Sequence, residues 1–155
     1  MNKYQKIFLF SILIVAFITI FDIWAMNSGV FGKPDDYLIG NFTDGWWQLF
    51  YQFNLSLIIL ISGAYYWFGK HDFSESISLF ISSLSLWLFF GIADILFFIF
   101  RGLSVPQLLP WLNNSYIGKL SSLIVSEVTS TSLYLVAIMG LFINYFLIKY
   151  MVEKL

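Results

Sequence analysis

WLFFGIADILFFIF, residues 87–100, is the stretch on which the fold turns. Its apolar and aromatic content reads as part of a membrane-crossing helix, yet Asp94 sits inside it. A carboxylate in that setting costs about 2.5–3.5 kcal/mol on insertion scales, so a partner or a task is expected for it. The other three apolar runs of the chain carry interruptions of their own: Asp22, Asn54 and Glu127.

The composition agrees with a membrane protein. Of 155 residues, 59% are apolar, 21% aromatic and only 11% charged, against roughly 25% charged in soluble domains. Each crossing needs about 20 residues, so four crossings account for the length and a single domain is expected. The predicted spans are 7–26, 49–68, 76–100 and 120–148. The fold class that follows is all-α: an integral membrane four-helix bundle, up-down-up-down. A short amphipathic segment at 104–115, with Pro106 and Pro110, is expected to lie along the interface between the third and fourth helices. The first run is too long for the apolar core of a signal peptide and is read as a span. Lys3, Lys6, Lys70, Lys149 and Lys154 fall on one side and Lys33, Arg101 and Lys119 on the other, which predicts both termini cytoplasmic. Trp46, Trp47 and Trp111 fall at outer helix ends, where amphipathic rings anchor at headgroup level.

Several chemistries are excluded. A net charge of −1 with dispersed Lys and Arg offers no field for nucleic acid. Zero Cys and a single His, His71, remove thiolate ligands, Cys-held iron–sulfur clusters and bis-His haem from this chain. The partners that remain are the lipid bilayer and other membrane proteins, a homo-oligomer included.

At about 1.5 Å per residue, Asp22 and Asn54 lie ~6 Å inside the outer helix ends, and Asp94 and Glu127 ~9 Å. One polar group per helix at a shared depth is what a common pocket requires. Ser83, Trp87, Gly91 and Asp94 follow steps of four, four and three and so share a helix face. Glu127, Ser130, Thr131 and Tyr134, with Ser126 alongside, form a similar expected stripe. The candidate ligand-binding set is therefore Asp22, Asn54, Trp87, Asp94, Glu127 and Tyr134.

Three readings of the acids stand open. In one they form an internal ion-pair network, with Arg101 two turns beyond Asp94 and reaching Glu127 across the hairpin. In another, Asp22, Asp94 and Glu127, with the Asn54 carbonyl, hold a divalent cation as cofactor. In the third, one acid is protonated and acts as general acid/base or contacts a polar or cationic ligand. His71 and Asp72, in the opposite connection, read as solvated surface, and Asp35, Asp36 and Asp44 as turn and cap residues.

An acid near the end of the first helix and a polar residue in the second, Asp22 and Asn54, resemble in layout the sigma-2 receptor and sterol-isomerase superfamily. Asn54 stands where that family carries an acid, the resemblance extends to no motif, and no family is assigned. The leading functional expectation is an outer-leaflet acidic pocket for a cation or a small lipid-like molecule, with or without acid/base chemistry. The alternative is an accessory subunit of a larger membrane complex. A transporter or channel is the weaker third class, since no span reads as broken at midplane.

Overall fold

Serine spacing on the third apolar run sets the architecture. Between residues 74 and 85 the chain places Ser at 74, 76, 78, 82, 83 and 85 among Leu, Ile and Phe. Small side chains let neighbouring helices approach closely on several faces. The computed structural model describes residues 2–28, 44–113, 115–123, 125 and 127–155. In it α1 (Lys3–Ser28), α2 (Asp44–Gly69), α3 (Phe73–Leu88), α4 (Ile92–Phe100), α5 (Tyr116–Ser121) and α6 (Ser130–Lys154) follow in order, with a 3-10 turn at Pro110–Leu112. Helix α3 packs against α1, α2 and α6 and occupies the centre. Ser74, Ser78, Ser82 and Ser83 are buried there. Ser78 and Ser83 turn their hydroxyls back onto the carbonyls of Ser74 and Leu79, while Ser76 donates to the Ser62 carbonyl of α2 at 2.6 Å.

Among the described residues the chain is helical, with no strand beyond one isolated bridge between Leu108 and Thr129. Helices α1 and α6 are each long and apolar enough to cross a membrane. The bent pair α3 and α4 makes a third candidate if it counts as one span. Helix α2 has 26 residues and, over its described residues, is not among those candidates.

Two expected helices are corrected. The run predicted as one helix over 76–100 is broken at residues 89–91 and bends by 68°. Gly91 adopts φ +65° as the N-cap of α4, a left-handed conformation that a residue with a Cβ enters only at a cost. The fourth helix begins at Ser130 and not near 120. Thr129 accepts from the Ser132 amide at 3.1 Å while Ser132 Oγ accepts from the Thr129 amide at 2.9 Å, a reciprocal cap that fixes the start. Residues 116–121 form the separate helix α5, capped by Ser115, whose hydroxyl accepts from the Gly118 amide.

The connector from 103 to 129 is folded onto the protein. Leu109, Leu112, Ile117, Val128 and Leu133 are buried together, with Ile95 and Phe98 of α4 against them. The Leu109 amide donates to the Val128 carbonyl and the Ser130 amide to that of Gln107. Asn113 Oδ1 accepts from the Val128 amide at 2.9 Å. The described residues of the predicted interfacial segment 104–115 thus form an irregular chain plus one 3-10 turn, held by these contacts. The larger core joins Ile14, Val15 and Ile18 of α1 with Ile58 of α2, Leu79 and Leu86 of α3 and Ala137 and Ile148 of α6.

Candidate functional site

Asp22 lies six residues from the end of α1 and is 7% exposed; Asn54, on α2, is fully buried. The Asn54 amide nitrogen donates to Asp22 Oδ1 at 3.3 Å, a long bond by the usual standard. Asn54 Oδ1 has no partner among the described residues. Three residues earlier on α2, and so on a neighbouring face position, Tyr51 sets its ring 5.5 Å from that of Trp87 on α3. Trp87 is buried. The Asp22–Asn54 bond and the Tyr51–Trp87 ring pair therefore lie side by side at the end where α1 finishes and α2 begins.

The helix break explains Asp94. It is the third residue of α4 and the acid of its first turn. The first amides of a helix lack intrahelical partners and carry partial positive charge, so an acid is favoured there. An acid that reads as a charge in mid-span is an acid at a helix start.

Other expected members of the site lie elsewhere. Glu127 is exposed and precedes the Thr129 cap, so it shares no helix face with Tyr134. Tyr134 is 43% exposed and lines an apolar cleft of about 310 Å³ with Ile12, Ile95, Leu96 and Leu141. No acid lines that cleft. The Arg101 ion pair is likewise absent among the described residues: the side chain is exposed at the end of α4, with its guanidinium 5.4 Å from the Phe97 ring centre. With Glu127 displaced into the connector, the cation triad of Asp22, Asp94 and Glu127 is not assembled. No three His, Asp or Glu side chains gather as metal ligands among the described residues. Asp35, Asp36 and Ser126 lie outside the described residues, as do the side chains of Asp44, Trp46, Trp47 and Trp111.

A second polar cluster, at the opposite helix ends, escapes sequence reasoning. Glu75, 7% exposed, takes Lys3 Nζ at 3.5 Å and His71 Nδ1 at 2.9 Å. The His71 ring stacks on Tyr65 of α2 at 3.9 Å with 4° between the planes. Lys70 at φ +52° makes the turn that folds His71 back. The signal available was the four-residue step from His71 to Glu75, which places both on one side of a helix that starts between them. Tyr51 was the other omission; as an aromatic at a helix end it reads as an anchor until its neighbours are known. No protein-family model, curated protein or solved structure matches the chain.

Proposed function

We propose that the chain is a multi-pass membrane protein, with α1, α2, α3 and α6 as four crossing helices and both termini cytoplasmic. In this reading the layer of Asp22, Asn54, Tyr51, Trp87 and Asp94 binds the cationic head of a small amphipathic molecule. One observation carries it: the buried Asp22 carboxylate takes the Asn54 amide, whose oxygen has no partner among the described residues, beside the Tyr51–Trp87 ring pair. Carboxylates supply charge to a cation, and aromatic faces add about 0.5–2 kcal/mol each through cation–π attraction. The unpartnered Asn54 oxygen offers an acceptor for an ammonium proton.

Thermal unfolding of the detergent-purified protein tests the reading, using a single-chain alkylammonium and a neutral amphiphile of equal chain length. A ligand at 100 times its dissociation constant adds about 2.7 kcal/mol to the folded state. The cationic amphiphile is expected to raise the midpoint and the neutral one not, and Asp22→Asn and Asp94→Asn should each abolish the difference. Equal stabilisation by both amphiphiles would mean a detergent effect and no acidic site.

A second reading, an accessory subunit with purely structural acids, is favoured by the position of Asp94 in the first turn of α4, which a cap role explains without a ligand. It predicts that Asp94→Asn lowers stability in the absence of any amphiphile and leaves amphiphile responses unchanged.

A further inference from the structure

Lys6 stands at the head of an exposed apolar stripe on α1. Lys6, Phe10, Leu13 and Phe17 recur at steps of four, three and four, so they share a helix face, and each is exposed. The neighbouring helix supplies a second charge at the same height. Phe10 meets the Tyr65 ring of α2 at 5.9 Å and the Asn54 amide donates to Asp22. These two contacts run α1 and α2 in opposite directions and set Lys6 level with Gly69 and Lys70. Both lysines therefore lie at the end of α1 and α2 remote from the Asp22 and Asn54 layer.

Two observations mark this pair. Neither lysine has an acid partner among the described residues: the buried Glu75 is taken by Lys3 and His71, and Asp72 is the exposed acid of the turn. Lys70 is also the one residue other than Gly with a positive φ, +52°, among the described residues. A residue with a Cβ enters that region at a cost, and a Lys held there where Gly would be unstrained points to a use for its side chain.

We propose that Lys6 and Lys70 hold the phosphate of an anionic phospholipid whose chains run along Phe10, Leu13 and Phe17. Ammonium groups bind phosphate as point charges, and basic side chains at the ends of membrane helices attract anionic headgroups. The stripe beneath Lys6 favours a lipid over a soluble phosphate, which would leave three apolar side chains uncovered. The inference uses only the crossing of the bilayer by α1, which is long and apolar enough for it, and is independent of the amphiphile site at the other end.

The protein in neutral detergent is titrated with dioleoyl phosphatidylglycerol, with dioleoyl phosphatidylcholine and with glycerol phosphate, and the unfolding midpoint is followed. Binding to the folded state raises it, and phosphatidylglycerol alone is expected to do so. Lys6→Gln combined with Lys70→Asn should weaken that binding at least tenfold; Asn tolerates a positive φ. Lys6→Arg keeps the charge and should keep the binding. Lys149→Gln removes a charge on the other side of α1, where Tyr145 meets Phe8 and Glu153 meets Tyr4, and should leave the response unchanged. An equal response to phosphatidylcholine, or an equal loss in Lys149→Gln, overturns the site in favour of general surface attraction. Equal stabilisation by glycerol phosphate overturns the lipid. Lys6→Gln alone lies on a regular stretch of helix, and full binding by it overturns the proposal even where the double variant is unstable. Asp22→Asn should respond as the parent does; loss of the response there would place the lipid in the acidic layer and overturn the assignment to Lys6 and Lys70.

Discussion

Gly91→Ala tests what holds the helix break. Gly91 and Gly102 share φ +65°, so an Ala at either pays the left-handed penalty of about 1–2 kcal/mol. Their surroundings differ. A Cβ at Gly102 meets nothing within 4 Å, whereas one at Gly91 runs into Leu133 Cδ1 and approaches Ile117. Leu133 is fully buried in the connector core, so its methyl cannot swing away without disturbing Ile117 and Leu109. Overpacking of this kind costs about 1–3 kcal/mol. Gly102→Ala should therefore lose about 1–2 kcal/mol and Gly91→Ala about 2–5 kcal/mol. Denaturant unfolding in detergent, followed by Trp fluorescence, measures both against the parent protein. Hydrogen exchange should place the extra loss at Gly91 in the amides around 89–95. Equal losses for the two variants would refute the reasoning, since the break would then owe nothing to the fit between Gly91 and Leu133.

Two further predictions concern the helix ends. Glu75→Gln removes the charge shared by Lys3 and His71 and should lower stability by about 1–2 kcal/mol, with Lys3→Ala costing less because Lys3 is half exposed; denaturant midpoints of the two variants check the order. Thr129→Ala breaks the reciprocal cap of α6 and should cost about 0.5–2 kcal/mol, visible as faster amide exchange in the first turn after residue 129.

Apolar length made α1 and α6 legible, because an uninterrupted run of such residues has few alternatives. Asp22 and Asn54 were legible as a pair, since a polar group inside an apolar run needs a neighbour and their depths agreed. The third run was not. WLFFGIADILFF contains no Pro, and one Gly in an apolar stretch is compatible with a continuous helix; what breaks it is the left-handed Gly91 fitted against Leu133, a tertiary contact 42 positions away by the residue numbers. Glu127 failed for a related reason. Ile117 and Val128 belong to a small core with Leu109 and Leu112, and hydropathy alone does not separate such residues from a helix crossing lipid. Thr129 and Ser132 did hold a start signal, but Ser in place of the usual Glu or Gln at the third position weakened it.

The break also removes the premise on which transport was set aside, that no span is interrupted, and the position of the break now has to decide. If α3 crosses the bilayer from its Phe73 end, its 16 residues rise about 24 Å, against a hydrocarbon thickness of roughly 30 Å. The nine residues of α4, inclined by 68°, add only about 5 Å along the same direction. The interruption then falls in the outer layer and α4 turns to lie more nearly along the membrane plane. Discontinuous helices that carry substrates meet near the midplane, where no water reaches the freed backbone groups. Here the same arithmetic puts the first turn of α4 near the boundary, where a carboxylate is cheaper to keep than at the centre. In the proposed reading, a site built on Asp94 at that depth faces the outer leaflet, which favours capture of an amphiphile over its translocation.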